Sequence, residues 1–124
     1  MAGFNDTGYA SFTPQETIVL HTAVTLVAGG VRTCQEGETP IGQACRNGVA
    51  PGELAHEKIS VALRNKQGTH IIIASDVIGE GVEFTSDNDG KYRAAVVGTD
   101  PVFGVIVEVG GATADNHEVE AIFY

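Results

Sequence analysis

Apolar residues in this chain arrive in short runs, alternating or continuous, and each run closes on a turn rich in Gly, Asp, Asn or Pro. No window of a dozen residues holds the i, i+3, i+4, i+7 spacing of an amphipathic helix. A chain built this way must bury its apolar faces sheet against sheet. The expectation is therefore an all-β fold of about eight or nine short strands, closed into a small barrel or sandwich.

Read in order, residues 1–16 mix Gly, Ser, Thr and Asn with Phe4, Tyr9 and Phe12 and carry no strand or helix period. They read as an extended N-terminal arm, followed by a single β domain over 17–124. Three aromatics in a segment too small for its own core need another surface, on this chain or on a neighbour. Residues 17–34 are rich in β-branched side chains around the Gly29-Gly30 turn signal. Further on, Ile59, Val61 and Leu63 alternate with polar neighbours, and Ile71-Ile72-Ile73 reads as a strand covered on both faces. VEFT (82–85) and KYRAAVV (91–97), joined by SDNDG, form the strongest hairpin signal.

The stretch 40–64 has the same plan as 101–124: an opening proline, glycines six apart (Gly42 and Gly48, Gly104 and Gly110), then His-Glu before an alternating strand (His56-Glu57, His117-Glu118). In the later copy Phe103, Val105, Val107, Val109, Val119, Ala121 and Phe123 are the expected core. The spacing suggests internal pseudo-symmetry.

Seven Lys plus Arg against 16 Asp plus Glu give a net charge of −9, which repels phosphate backbones and anionic lipid heads. Neither a nucleic-acid nor a membrane partner is expected. The apolar runs fall short of a membrane span, and the first residues lack a basic segment leading into an apolar one, so no secretory signal is expected. Cys34 and Cys45 are candidates for one disulfide across neighbouring strands, against the simpler reading of two buried free thiols.

Chemistry-bearing motifs are scarce. His21, His56, His70 and His117 form no HxH or HExxH, and solvated strand-entry positions explain His56 and His117. SDNDG lacks the bidentate Glu that closes a calcium loop, since the twelfth position counted from Asp87 is Gly98. No serine has a GxSxG context, and no Gly-rich loop leads into a helix to cradle phosphate. The expectation is a binder or building block, not an enzyme, with no cofactor and no metal site. A receptor- or carbohydrate-binding β module is the alternative.

Residues 49–124 resemble the capsid decoration (cement) proteins of tailed bacteriophages. That family's strand, bend, hairpin, strand and final strand correspond here to His56-Glu57-Lys58-Ile59-Ser60-Val61, Ile78-Gly79-Glu80-Gly81-Val82, Asp89-Gly90-Lys91, Phe103-Gly104-Val105-Ile106-Val107-Glu108 and His117-Glu118-Val119-Glu120-Ala121. The glycine that the family places before Glu57 and Glu118 is His56 and His117 here, and the N-terminal region has no matching pattern. The resemblance implies a small β-barrel, "β-tulip"-like, that assembles as a homotrimer on the capsid exterior of the virion. There it would hold neighbouring major capsid protein subunits together. On that reading Phe4, Tyr9 and Phe12 would be the capsid-binding contacts of the arm.

Overall fold

The computed structural model describes residues 8–49 and 58–124, and these carry ten strands. They are β1 (Tyr9–Phe12), β2 (Ala23–Val27), β3 (Gly30–Thr33), β4 (Gly42–Ala44), β5 (Ile59–Leu63), β6 (His70–Ala74), β7 (Glu83–Ser86), β8 (Tyr92–Ala94), β9 (Gly104–Ile106) and β10 (His117–Phe123). The all-β expectation holds, and one turn of 3-10 helix at Asn88–Gly90 joins β7 to β8.

The chain folds as two consecutive units of one topology. In the first, the strand order is β1-β5-β4-β2-β3, and in the second the same order, β6-β10-β9-β7-β8, closes into a barrel. Closure comes from the parallel pair Ala74↔Tyr92 between β6 and β8. The matching contact in the first unit is the parallel bridge Pro14↔Val31, immediately after β1 and within β3.

The correspondence runs residue by residue. Gly42 pairs with both Val24 and Leu63, as Gly104 pairs with both Phe84 and Phe123. The bridges Ile18↔Gly48 and Ile78↔Ala112 repeat the same turn closure. Arg32 pairs with Glu38 after β3, and Arg93 pairs with Asp100 after β8 at 2.8 Å. At the bend before β2 the backbone turns left-handed at His21 (φ 70°), where the second unit has Gly81 (φ 75°).

Local chemistry accounts for the turns. The Asp87 carboxylate accepts the Asn88 N–H at the start of the 3-10 turn, and Asp89 and Gly90 take φ of 62° and 74° to bring the chain back. Each unit has its own apolar interior. Ile18, Val24, Val31, Ile59 and Val61 fill the first. Phe84, Tyr92, Phe103, Ile106 and Val119 fill the second, which also takes in Ala23 and Cys34 from the first unit. Edge-to-face packing orders the second core, with ring centroids 5.0 Å apart for Phe84 and Tyr92 and 5.3 Å for Phe84 and Phe123.

Four expectations need correcting. The boundary at residue 16 falls inside the first unit, because Tyr9–Phe12 pair along β5 as its outer strand. Val107 and Val109 are exposed, whereas Ile106 is buried. The reason is register: Ile106 faces the core opposite Ala121 and Val105 lies opposite the exposed Ile122, so alternation puts Val107 on the outer face too, and Val109 lies past the end of β9. Ile71 is partly exposed between buried neighbours, so β6 is covered on one face only at that point. Cys34 and Cys45 are both free rather than bridged, as on the simpler reading, but that reading buried both thiols and Cys45 is exposed.

Candidate functional site

The two units meet along a polar seam. The Gln43 side-chain amide on β4 donates to the Tyr92 phenolic oxygen on β8 at 2.8 Å, and both residues are buried. Around this bond the loop after β3 lies on the turn between β7 and β8. The Gly90 N–H donates to the Cys34 carbonyl (2.8 Å), the Ser86 hydroxyl to the Glu38 carbonyl (2.9 Å), the Glu36 N–H to Asn88 Oδ1 (3.2 Å) and the Asp89 N–H to Gln35 Oε1 (3.1 Å). The seam therefore satisfies backbone and side-chain groups of both units at once, which fixes their mutual orientation.

Beside the seam lies a cavity of ≈ 210 Å³, lined by Tyr9, His21, Gln43, Cys45, Lys66 and His70 among others. His70 is buried, its ring stands edge-on to Phe123 at 4.8 Å, and neither ring nitrogen has a hydrogen-bond partner. Burial first, and then the Lys66 ammonium, push its pKa down to about 4, so the ring is neutral at ordinary pH. Gln43 Oε1 is likewise buried and unpartnered. Lys66 Nζ donates to the Thr69 carbonyl at 2.8 Å and sits 5.8 Å from the Tyr9 ring centroid.

Near the cavity, His21 Nε2 lies 3.9 Å from Glu118 Oε2, and the Cys45 thiol points to the Gln43 carbonyl, two residues back, at 4.0 Å. Among the described residues no group of three or more His, Cys, Asp and Glu could hold a metal ion. His117 accepts the Thr113 N–H at Nδ1 (3.0 Å), a local turn contact. His56 lies outside the described residues.

The residues expected to dock fall in different places. Tyr9 projects from the outer face of β1 and is exposed. Phe12, three residues on, packs against the first unit's core. Phe4 lies outside the described residues. Sequence reasoning missed Gln43 and Tyr92, although a lone Gln inside an apolar strand and a tyrosine flanked by Lys91 and Arg93 were the available signals.

The thiols differ sharply. Cys34 is buried, and burial, with the nearby Glu38 carboxylate, pushes its pKa up to about 11. Cys45 is exposed. Ellman's reagent should therefore titrate one thiol per native chain and a second only in denaturant. Rapid reaction of both thiols in buffer would contradict the burial of Cys34.

No family model matches the chain, and no curated protein matches it. Among solved structures, the chain is similar to the head fiber gp8.5 N base of bacteriophage phi29, with a TM-score of 0.71 at 15% sequence identity, over 94% of this chain and 92% of that one. The two share a fold along nearly their whole lengths.

Proposed function

We propose that this chain is a structural protein of a bacteriophage head, which binds the outer surface of the shell and stabilises it as a decoration protein. The observation that carries the reading is the end-to-end similarity of fold to a phage head fiber base. The resemblance of residues 49–124 to cement proteins points the same way from the sequence side.

On this reading the chain acts by binding, with no catalytic step and no cofactor. Its partners are the major capsid protein and other copies of itself, assembled as a homotrimer on the capsid exterior, and neither nucleic acid nor membrane is a partner. A rigid double unit suits that task, since ordering little on binding leaves more of the contact energy as affinity. The net charge of −9 suits a face turned away from packaged DNA.

The test is co-sedimentation with undecorated phage heads. The full chain should pellet with shells and raise their melting temperature. Removing residues 1–7 deletes Phe4 while leaving β1 in place, and this truncated chain should stay folded and lose most of its binding if the N-terminal contact anchors it. Full-length protein that stays in the supernatant with every shell tried would sink the capsid reading. Undiminished binding by the truncated chain would sink only the anchor.

A further inference from the structure

The repeat makes one interface of the molecule readable twice. Inside the chain, the loop after β3 of the first unit covers the turn between β7 and β8 of the second. Both units contain a loop and a turn at these places, the first unit's turn being the tighter Val27–Gly30 hairpin, so among the described residues one loop and one turn are left without such a mate. These are the loop after β8 in the second unit and the turn between β2 and β3 in the first.

Corresponding positions in the covered and uncovered surfaces differ in a consistent way. Ser86, at the end of β7, is 1% exposed because the Glu38 region covers it. Its counterpart Leu26, at the same place on β2, is 58% exposed. The registers establish the match, since Leu26 pairs with Val31 as Ser86 pairs with Tyr92. On the loop side, Gln35 and Glu36 bond to the 3-10 turn, while their counterparts Val96 and Val97 are 56% and 91% exposed. The loops match through their ion pairs and through Gly37 and Gly98, whose φ angles are 84° and 81°.

The seam inside the chain is thus polar and hydrogen-bonded, whereas its two unmated halves are apolar. Exposed Val and Leu side chains at a loop tip and a turn are costly to keep in water, and both sites are apolar, so they match each other in chemistry. We propose that the chain associates head to tail with a second copy of itself, the Val96-Val97 loop of one copy seating on the Leu26 turn of the next. The contact between chains would continue the contact within the chain. This rests on the repeat and not on the capsid reading, and its test needs no capsid.

Such a contact is heterologous: each copy gives a loop at one side and a turn at the other, so it builds rings or open chains. That property supplies a decisive experiment. The full chain is followed by sedimentation over a wide concentration range, together with Val97→Asp and Leu26→Asp. Wild-type protein should form oligomers, and each variant alone should be monomeric, with association weakened at least tenfold. An equimolar mixture of the two variants should form one-to-one dimers and nothing larger, because the mixture has one intact loop and one intact turn to bring together.

Val97→Ser and Leu26→Ser, at the same exposed sites, should give the same pattern in weaker form and guard against loss of folding. A wild-type chain that stays monomeric throughout would overturn the proposal. So would single variants that associate as well as wild type, or a mixture that stays monomeric.

Discussion

Gly104→Ala is expected to destabilise the protein by about 3 kcal/mol or more, and Gly42→Ala by a similar amount. A Cβ at Gly104 would stand 2.1 Å from the Ile122 carbonyl oxygen and 2.7 Å from the Phe84 ring, and one at Gly42 would stand 2.0 Å from the Ala62 carbonyl oxygen. These obstacles are chiefly backbone of the paired strand. Relief requires β9 to part from β10, or β4 from β5, and so to break the ladder that holds each unit. The two glycines occupy the same place in the two units, which makes them a matched pair of tests. Urea denaturation is the measurement, with Gly37→Ala as control: its Cβ would meet nothing within 4 Å, and its φ of 84° should cost about 1–2 kcal/mol. Gly104→Ala or Gly42→Ala no worse than the control would contradict the strand spacing described here.

Those glycines also show what could be read beforehand. The equivalence of Gly42 and Gly104 was visible in the spacing of 40–64 and 101–124, because a position where two backbones touch admits no other residue. The second spacing match was accidental: the structural counterpart of Gly48 is Ala112, not Gly110. The first halves of the units hid their kinship, since 17–34 and 76–97 share little beyond Ile18 with Ile78 and Arg32 with Arg93. A half-buried strand accepts many β-branched or aromatic residues, so the alternation survives while identities drift.

The arm illustrates the opposite failure. Tyr-Ala-Ser-Phe is too short to show a period, and its outer face is exposed, so nothing local marks it as a strand. Its pairing with β5 is long-range and becomes legible only beside its counterpart, β6 against β10. The seam was illegible for a related reason. Gln43 and Tyr92 lie far apart in sequence, and each looks ordinary until the other is placed against it.

The same seam leads to the second large effect, on pH. Folded His70 has a pKa pushed down to about 4, by burial first and then by the Lys66 ammonium, while in the unfolded chain it titrates near 6.5. Between these values the unfolded chain takes up a proton that the folded chain refuses. The folded state then loses stability as pH falls through about 6.5 towards 4, by roughly 3 kcal/mol in all, and holds its full stability above that window. His70→Phe removes the titration and both unpartnered nitrogens, and it keeps a ring against Phe123. At pH 7 this variant should be as stable as wild type or more so.

Acid also removes stability from Asp87 and Asp100, whose pKa values are pushed down in the fold. For Asp87 burial pulls upward but is outweighed by the Ser75 and Asn88 hydrogen bonds together with Arg93 and Glu36, and for Asp100 the hydrogen bond to Arg93 is the chief cause. Both chains share that loss, so the quantity to measure is the difference between wild type and variant in unfolding free energy at pH 7, 5.5 and 4. It should shift in favour of His70→Phe by about 3 kcal/mol across the series. Parallel profiles would mean that the folded ring protonates at its ordinary pKa, and that water from the cavity reaches nitrogens which the structure shows as covered.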